Sequence, residues 1–193
     1  NSGQAETTTS RSKAQGRGKP VDQESIFCLD ALTGQRLWTY TYKEPLVPYG
    51  YEGGPGATPT VHQGSVYMCS RTGKVISVDA ATGELNWRRD LVAEFGLAEP
   101  TWGFSSSAVI QRDLVILNSG QWGMALDSHS GVKRWQNGTD VPGYASAIPF
   151  LQNGEKQALI FGASGLADVA VYPGHGAWSF SWHTRQTIHV THT

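Results

Sequence analysis

Three segments of the sequence align without gaps: FCLDALTGQRLW at residues 27–38, ISVDAATGELNW at 76–87 and MALDSHSGVKRW at 124–135. Each contains an Asp, then a Thr or Ser, then a Gly, and a Trp four residues after the Gly. The three Trp residues are separated by 49 and 48 residues. Recurrence at this period is typical of repeat architectures, so the chain is predicted to consist of repeated structural units.

The residues of this motif are predicted to be structural. The Asp carboxylate can accept hydrogen bonds from nearby backbone amides, and the Gly supplies a positive φ. The Trp indole lies on an outer strand, where it can pack against the next unit. The complete copies are Asp30, Thr33, Gly34, Trp38; Asp79, Thr82, Gly83, Trp87; and Asp127, Ser130, Gly131, Trp135. An eroded fourth copy keeps Gly174 and Trp178.

Other segments of each unit also have the character of strands. A strand of Gly and small residues opens each unit, and an aliphatic strand follows. Within the motif, Ile76 and Val78 alternate with Ser77, which is the period of a strand. We therefore predict an all-β fold, a β-propeller of four-stranded antiparallel blades, with about three to four blades of a larger ring present. The opening strands are GATPTV (56–61), GFSSSAVI (103–110) and GYASAIPF (143–150).

The two ends of the chain differ from the blades. Residues 1–21 contain almost no large apolar side chains, so we expect a disordered polar leader. Residues 22–182 are assigned to the blades. Residues 183–193 are expected to form a frayed C-terminal segment, whose three His residues lack Cys or carboxylate support for a metal site.

Composition and charge exclude several classes of function. The formal net charge of −1 provides no electrostatic footprint for nucleic acid. No stretch approaches the roughly 20 apolar residues of a membrane span, and the N-terminus lacks the apolar core of a signal peptide. Cys28 and Cys69 lack metal-ligand spacing and are predicted to be buried free thiols, although the sequence leaves a disulfide between them open.

The repeated motif resembles the PQQ-like repeat family, named after pyrroloquinoline quinone (PQQ). In this family the AxDxxTGxxxW-like segment is called the tryptophan docking motif. The resemblance covers residues 25–182 and includes YEGGPGATPTV (51–61) and PTWGFSSSAV (100–109). It implies an eight-bladed ring and favours a periplasmic or secreted location.

The family to which this resemblance points includes two kinds of protein, one catalytic and one non-catalytic. Quinoprotein dehydrogenases hold PQQ above a calcium ion, with a carboxylate base and often a disulfide between adjacent Cys residues. An outer-membrane assembly lipoprotein uses the same ring without a cofactor to bind partner proteins. The present sequence has no adjacent Cys pair and no Asp or Glu that stands out as a base.

We therefore predict a non-catalytic scaffold that binds a protein or a small ligand, with no catalytic residue, metal site or cofactor. Two alternatives stay open. The chain could be a fragment of a PQQ-dependent dehydrogenase, which would bind PQQ with calcium, or a sensor or anchoring domain of a larger protein. Three to four blades form only part of a ring, so the first and last blades would lack a neighbour, and we expect the chain to self-associate through them.

Candidate ligand-binding residues lie on the loops that precede the inner strands and are expected to meet at one mouth of the ring. These residues are Tyr51, Glu52, Trp102, Phe104 and Tyr144, and Trp122 is added from a hairpin connection. The alternative is that the loop aromatics cap the blade cores and that Trp122 lies at an exposed hairpin tip.

Overall fold

The computed structural model describes residues 22–45 and 54–182 and the backbone of residues 3–11. Blade 1 contains β1 (Gly3–Arg11), β2 (Asp22–Asp30) and β3 (Arg36–Lys43). Blade 2 contains β4 (Thr60–His62), β5 (Ser65–Cys69), β6 (Lys74–Asp79) and β7 (Leu85–Asp90). Blade 3 contains β8 (Val109–Gln111), β9 (Leu114–Leu117), β10 (Met124–Asp127) and β11 (Lys133–Gln136). Blade 4 contains β12 (Ile148–Gln152), β13 (Glu155–Gly162), β14 (Gly165–Ala170) and β15 (Gly176–Ser181).

Each blade is a separate antiparallel sheet in which strands adjacent in sequence are hydrogen-bonded neighbours. Blades 2, 3 and 4 have four strands, and blade 1 has three. The prediction of an all-β fold with three to four propeller blades is therefore confirmed.

The Asp of the motif forms the turn between the last two strands of a blade. The Asp79 carboxylate accepts hydrogen bonds from the amides of Ala81 at 2.9 Å and Thr82 at 2.8 Å, and from the Thr82 hydroxyl at 3.1 Å. These bonds hold the pKa of the Asp79 carboxyl below its ordinary value, and the bond from the Thr82 amide has the largest effect. The Gly83 amide closes the turn on the Asp79 carbonyl at 2.9 Å. Asp30 and Asp127 make the equivalent bonds.

Blade 4 keeps this turn although Ala170 replaces the Asp. The Gly174 amide donates to the Ala170 carbonyl at 2.9 Å, and Gly174 has the positive φ of 97° that the position requires. Trp178 pairs with Asp168 as Trp87 pairs with Ser77, and a register shift follows each pair. The eroded fourth repeat is therefore a complete blade, because the backbone bonds of the turn do not need the carboxylate.

The N-terminal segment differs from its prediction. Gly3–Arg11, expected within a disordered leader, forms β1 and pairs with β2 along all nine of its residues. An edge strand carries unpaired N–H and C=O groups, and β1 satisfies those of β2 without needing large apolar side chains. The predictions for residues 12–21 and 183–193 lie outside the described residues.

Among the described residues the hydrophobic core forms three clusters, one at each seam between successive blades. The middle cluster joins blades 2 and 3 and includes Leu91 of the short helix α1 (Leu91–Phe95). Asp90 caps this helix by accepting from the amides of Val92 and Ala93. The helix was not predicted. None of the described helices is long and apolar enough to cross a membrane.

Both cysteines are buried and free, as predicted. Burial, together with the carboxylates of Glu44 and Glu24, raises the pKa of the Cys69 thiol to about 12. Cys69 is therefore a protonated core side chain at neutral pH and not a reactive thiolate.

Candidate functional site

The Trp of each of the first three motifs packs on the Gly of the motif in the following blade. A Cβ atom placed on Gly83 would lie 2.6 Å from the ring of Trp38, so only glycine fits beneath the indole. The Trp38 Nε1 donates to the carbonyl of Ala80 in the same turn at 3.0 Å. Trp87 packs on Gly131 and donates to Ser128, and Trp135 packs on Gly174 and donates to Val171.

The two ends of this series have no described partner. Gly34 of blade 1 has the same positive φ, but no atom lies within 4 Å of where its Cβ would be. Trp178 of blade 4 is 47% exposed, and the neighbouring Phe180 and Trp182 are 58% and 53% exposed. Blade 1 therefore presents an unfilled glycine position, and blade 4 presents a half-exposed aromatic face.

Asp168 lies beneath that aromatic face, in the strand position that Ser77 and Ala125 occupy in blades 2 and 3. It is fully buried, and neither carboxylate oxygen has a hydrogen-bond partner within the described part of the chain. Burial raises the pKa of the Asp168 carboxyl, and the nearby Trp178 side chain partly offsets that rise. A buried carboxyl without a hydrogen-bond partner costs free energy, so a donor from an adjoining blade would stabilise this position.

Two of the predicted mouth residues come together. The Trp102 amide donates to the Tyr144 hydroxyl at 3.4 Å, which joins the loop before blade 3 to the loop before blade 4. Trp102 is 38% exposed and Tyr144 is half-buried, so both can contact a ligand. Tyr51 and Glu52 lie outside the described residues.

Phe104 and Trp122 have different surroundings. Phe104 is buried in the core between blades 2 and 3, and its ring lies 2.8 Å from where a Cβ on Gly73 would be. Phe104 therefore contributes to the core and not to the mouth surface. Trp122 is half-buried against Gly162 and lines a cavity of about 260 Å³ between blades 3 and 4.

Hydroxyl groups join the inner segments of successive blades, a feature that sequence reasoning missed. Ser107 Oγ accepts from the Thr58 amide, and Ser146 Oγ accepts from the Ser107 amide, both at 3.0 Å. Ser105 Oγ donates to the Tyr144 carbonyl at 3.0 Å. The pattern of residues 103–110 indicates only an opening strand of small residues. The serine hydroxyls also satisfy backbone groups that no ladder pairs.

Two buried glutamates near the seam of blades 1 and 2 also escaped prediction. The Tyr42 hydroxyl donates to Glu24 at 2.5 Å. Glu44 accepts from the amide and the hydroxyl of Thr72 at 3.1 and 2.6 Å and forms an ion pair with Lys74. The pKa of the Tyr42 hydroxyl is raised mainly by its burial and, to a smaller extent, by the negative charge of Glu24. Each carboxylate is bound by internal partners. Across the described ranges, no three His, Cys, Asp or Glu side chains are grouped to hold a metal ion.

Four successive antiparallel blades, of which the first three place their indole on the glycine turn of the next, define a β-propeller of the PQQ-like repeat class. The chain belongs to the family described as outer membrane protein assembly factor BamB, whose sequence model matches residues 22–189.

Similar proteins include an assembly factor and dehydrogenases. BamB from Moraxella catarrhalis is 23% identical, with a TM-score of 0.57 over 81% of this chain and 42% of its own. Quinohemoprotein alcohol dehydrogenase from Comamonas testosteroni is 14% identical, with a TM-score of 0.57 over 81% of this chain and 32% of its own. The 1-butanol dehydrogenase (cytochrome c) of Thauera butanivorans is 32% identical over 102 residues, which are 49% of this chain and 14% of the enzyme. The chain thus spans less than half the length of each of these proteins.

Proposed function

We propose that the chain is a non-catalytic propeller module that acts as a binding scaffold for a protein or a small ligand. The observation that carries this proposal is that the motif and buried carboxyl groups are either bound by internal partners or, at Asp168, fully enclosed. The motif carboxylates form turns, and Glu24 and Glu44 are bound internally. A general base needs a carboxylate that can reach a substrate proton, and these carboxylates already accept hydrogen bonds from groups within the chain.

The mouth surface of Trp102 and Tyr144 is the proposed contact for a ligand or a partner protein. Its two aromatic side chains come from different blades and are joined by a hydrogen bond. Aromatic residues on loops held by a rigid scaffold are common in binding surfaces. The family description favours action at the outer membrane, and therefore a periplasmic partner.

The exposed aromatic face of blade 4 is a second proposed contact, through which the chain associates with another blade. In the three seams within the chain, the equivalent Trp is covered by the following blade. A second copy, whose blade 1 presents the open Gly34, supplies one such cover. A sensor or anchoring role in a larger protein would use the same faces.

The runner-up function is a segment of a PQQ-dependent dehydrogenase, favoured by the 32% identity to the Thauera enzyme over 102 residues. The residues described do not fit a PQQ and calcium site, because they contain no group of metal-ligating carboxylates. Cys28 and Cys69 are also separate, free and buried, so they do not form a disulfide of adjacent cysteines.

The two functions differ in their uptake of PQQ. We expect the purified full-length protein, titrated with PQQ in excess calcium, to show no saturable uptake and no calcium-dependent reduction of an artificial electron-acceptor dye with butanol as substrate. A PQQ-dependent alcohol dehydrogenase treated in parallel serves as the positive control. Tight one-to-one uptake together with dye reduction would overturn the proposal.

A further inference from the structure

A second cavity, of about 260 Å³, lies between blades 2 and 3, at the ends of the strands where the Asp-Gly turns lie. The cavity is therefore separate from the mouth surface of Trp102 and Tyr144, which is formed by the loops between blades. Its lining residues all carry hydroxyl, amide or imidazole groups, and none is Asp, Glu, Lys or Arg. They are Gln63, Ser65, Tyr67, Asn86, Ser128 and His129.

The repeats within the chain show which residues of this lining differ from those of the other blades. Ser65 pairs with the motif Asp79, and Leu114 pairs with the motif Asp127, so Leu114 is the blade 3 counterpart of Ser65. By the same register, Ile116 of blade 3 is the counterpart of Tyr67.

In blade 3, both aliphatic counterparts are buried in the cluster that joins blades 3 and 4. The far wall differs as well. Ser128 and His129 directly follow the motif Asp127, where the corresponding residues of blade 2 are Ala80 and Ala81. Ser65 and Tyr67, like Ser128 and His129, thus stand where another blade carries aliphatic residues. In the neighbouring seam the counterparts of Gln63, Asn86 and His129 are Arg112, Arg134 and Tyr172, so its rim carries charged groups where this rim is neutral.

The floor of the cavity is held in place by hydrogen bonds. The Ser128 carbonyl accepts from the Trp87 indole at 2.8 Å and from the Tyr67 hydroxyl at 3.3 Å. The two aromatic rings lie 6.1 Å apart, and both side chains are almost fully buried. A floor fixed in this way is preorganised, so a ligand does not have to order it.

The rim has hydrogen-bonding capacity to offer. Asn86 Nδ2 is shared between Ser77 Oγ at 3.2 Å and Ser65 Oγ at 3.4 Å, which are long bonds. The Gln63 side chain makes no hydrogen bond to another residue of the described ranges, and its backbone has a φ of 45° in the turn that enters β5. Amides can both donate and accept, so these groups match a ligand that does the same.

We propose that this cavity binds a small, neutral, polyhydroxylated molecule of about monosaccharide size. Several hydroxyls on one small molecule complement the amide and hydroxyl groups of the rim. A charged ligand is disfavoured, because no lining residue among the six carries a carboxylate, ammonium or guanidinium group to pair with it. The volume of about 260 Å³ accommodates one small ring. This site does not depend on the proposed scaffold function.

Saturation-transfer difference NMR on the full chain tests the proposal, with D-glucose and myo-inositol as probes. Cyclohexanol and gluconate serve as apolar and charged controls. We expect saturable signals from at least one of the two neutral probes and weaker signals from both controls. If neither probe gives a saturable signal, the proposal is wrong.

Two variants on opposite walls locate the binding, and both introduce residues that other blades already carry. Ser65→Leu introduces the Leu of blade 3 and should abolish the saturable signal by filling the cavity. His129→Ala introduces the Ala of blade 2 and should weaken binding by about three- to tenfold, the loss typical of one hydrogen bond.

Gln35→Leu serves as the matched control, because Gln35 is an exposed amide in the equivalent turn of blade 1 and should leave binding unchanged. Circular dichroism checks the folding of each variant. If Ser65→Leu does not fold, Asn86→Leu replaces it on the same wall. Binding that persists unchanged in the folded variants of both walls would overturn the assignment to this cavity.

Discussion

Replacing Trp87 with Ala is expected to lower the free energy of unfolding by about 3–5 kcal/mol, the usual cost of deleting a large buried aromatic side chain. Trp87 is only 6% exposed, packs on Gly131 and donates to the Ser128 carbonyl, so its loss opens the seam between blades 2 and 3. Urea denaturation followed by circular dichroism measures the change.

Trp178→Ala is the matched control for this variant. It removes the same side chain from the same motif position, but at a face without a described neighbour and with 47% of the residue exposed. We expect a loss below about 1 kcal/mol in the monomeric chain, as for most exposed positions. Equal losses for Trp87→Ala and Trp178→Ala would show that the seam does not contribute as described.

The second large effect is expected for Gly131→Ala compared with Gly34→Ala. Both glycines stand at the same motif position, with φ of 68° and 69°. An alanine at either position costs about 1–2 kcal/mol for its left-handed backbone conformation. At Gly131 the new Cβ would also lie 2.7 Å from the Trp87 ring, whereas at Gly34 it meets nothing within 4 Å. Gly131→Ala should therefore be worse by about 1–3 kcal/mol, the typical cost of overpacking.

A double-mutant cycle identifies the source of that difference. In the Trp87→Ala background the ring that the new Cβ would strike is gone, so the extra cost of Gly131→Ala over Gly34→Ala should largely disappear. Urea denaturation of all four chains of the cycle gives the coupling energy. If Gly131→Ala costs the same with and without the indole, the close contact between Trp87 and Gly131 does not determine the requirement for glycine.

The blade architecture could be predicted because the residues that specify it repeat. Asp79, Gly83 and Trp87 act within one turn or between equivalent positions of adjacent blades, so their spacing carries the relevant information. Gly174 and Trp178 preserved enough of that spacing to predict a fourth blade. The missing Asp did not matter, since the turn at Ala170 is closed by backbone bonds.

The candidate sites depend on residues that do not repeat, and these were harder to predict. Phe104 lies in the core because its loop folds inward over Gly73, a contact that no local pattern encodes. Glu24 and Glu44 are buried because Tyr42, Thr72 and Lys74 supply partners from distant parts of the sequence. The polar cavity could have been recognised by comparing Ser65 and Tyr67 with their aliphatic counterparts, once the strand register was known.

The central claim is that the motif tryptophans join the blades by packing on the next glycine turn and donating to its carbonyl. Hydrogen exchange of the indole Nε1 protons, observed by ¹⁵N NMR on the full chain, tests this most directly. The Trp38, Trp87 and Trp135 indoles donate to backbone carbonyls at 3.0, 2.8 and 3.0 Å and should exchange slowly, whereas the half-exposed Trp178 indole should exchange much faster. Rapid exchange at Trp38, Trp87 and Trp135, at the rate of Trp178, would contradict the claim.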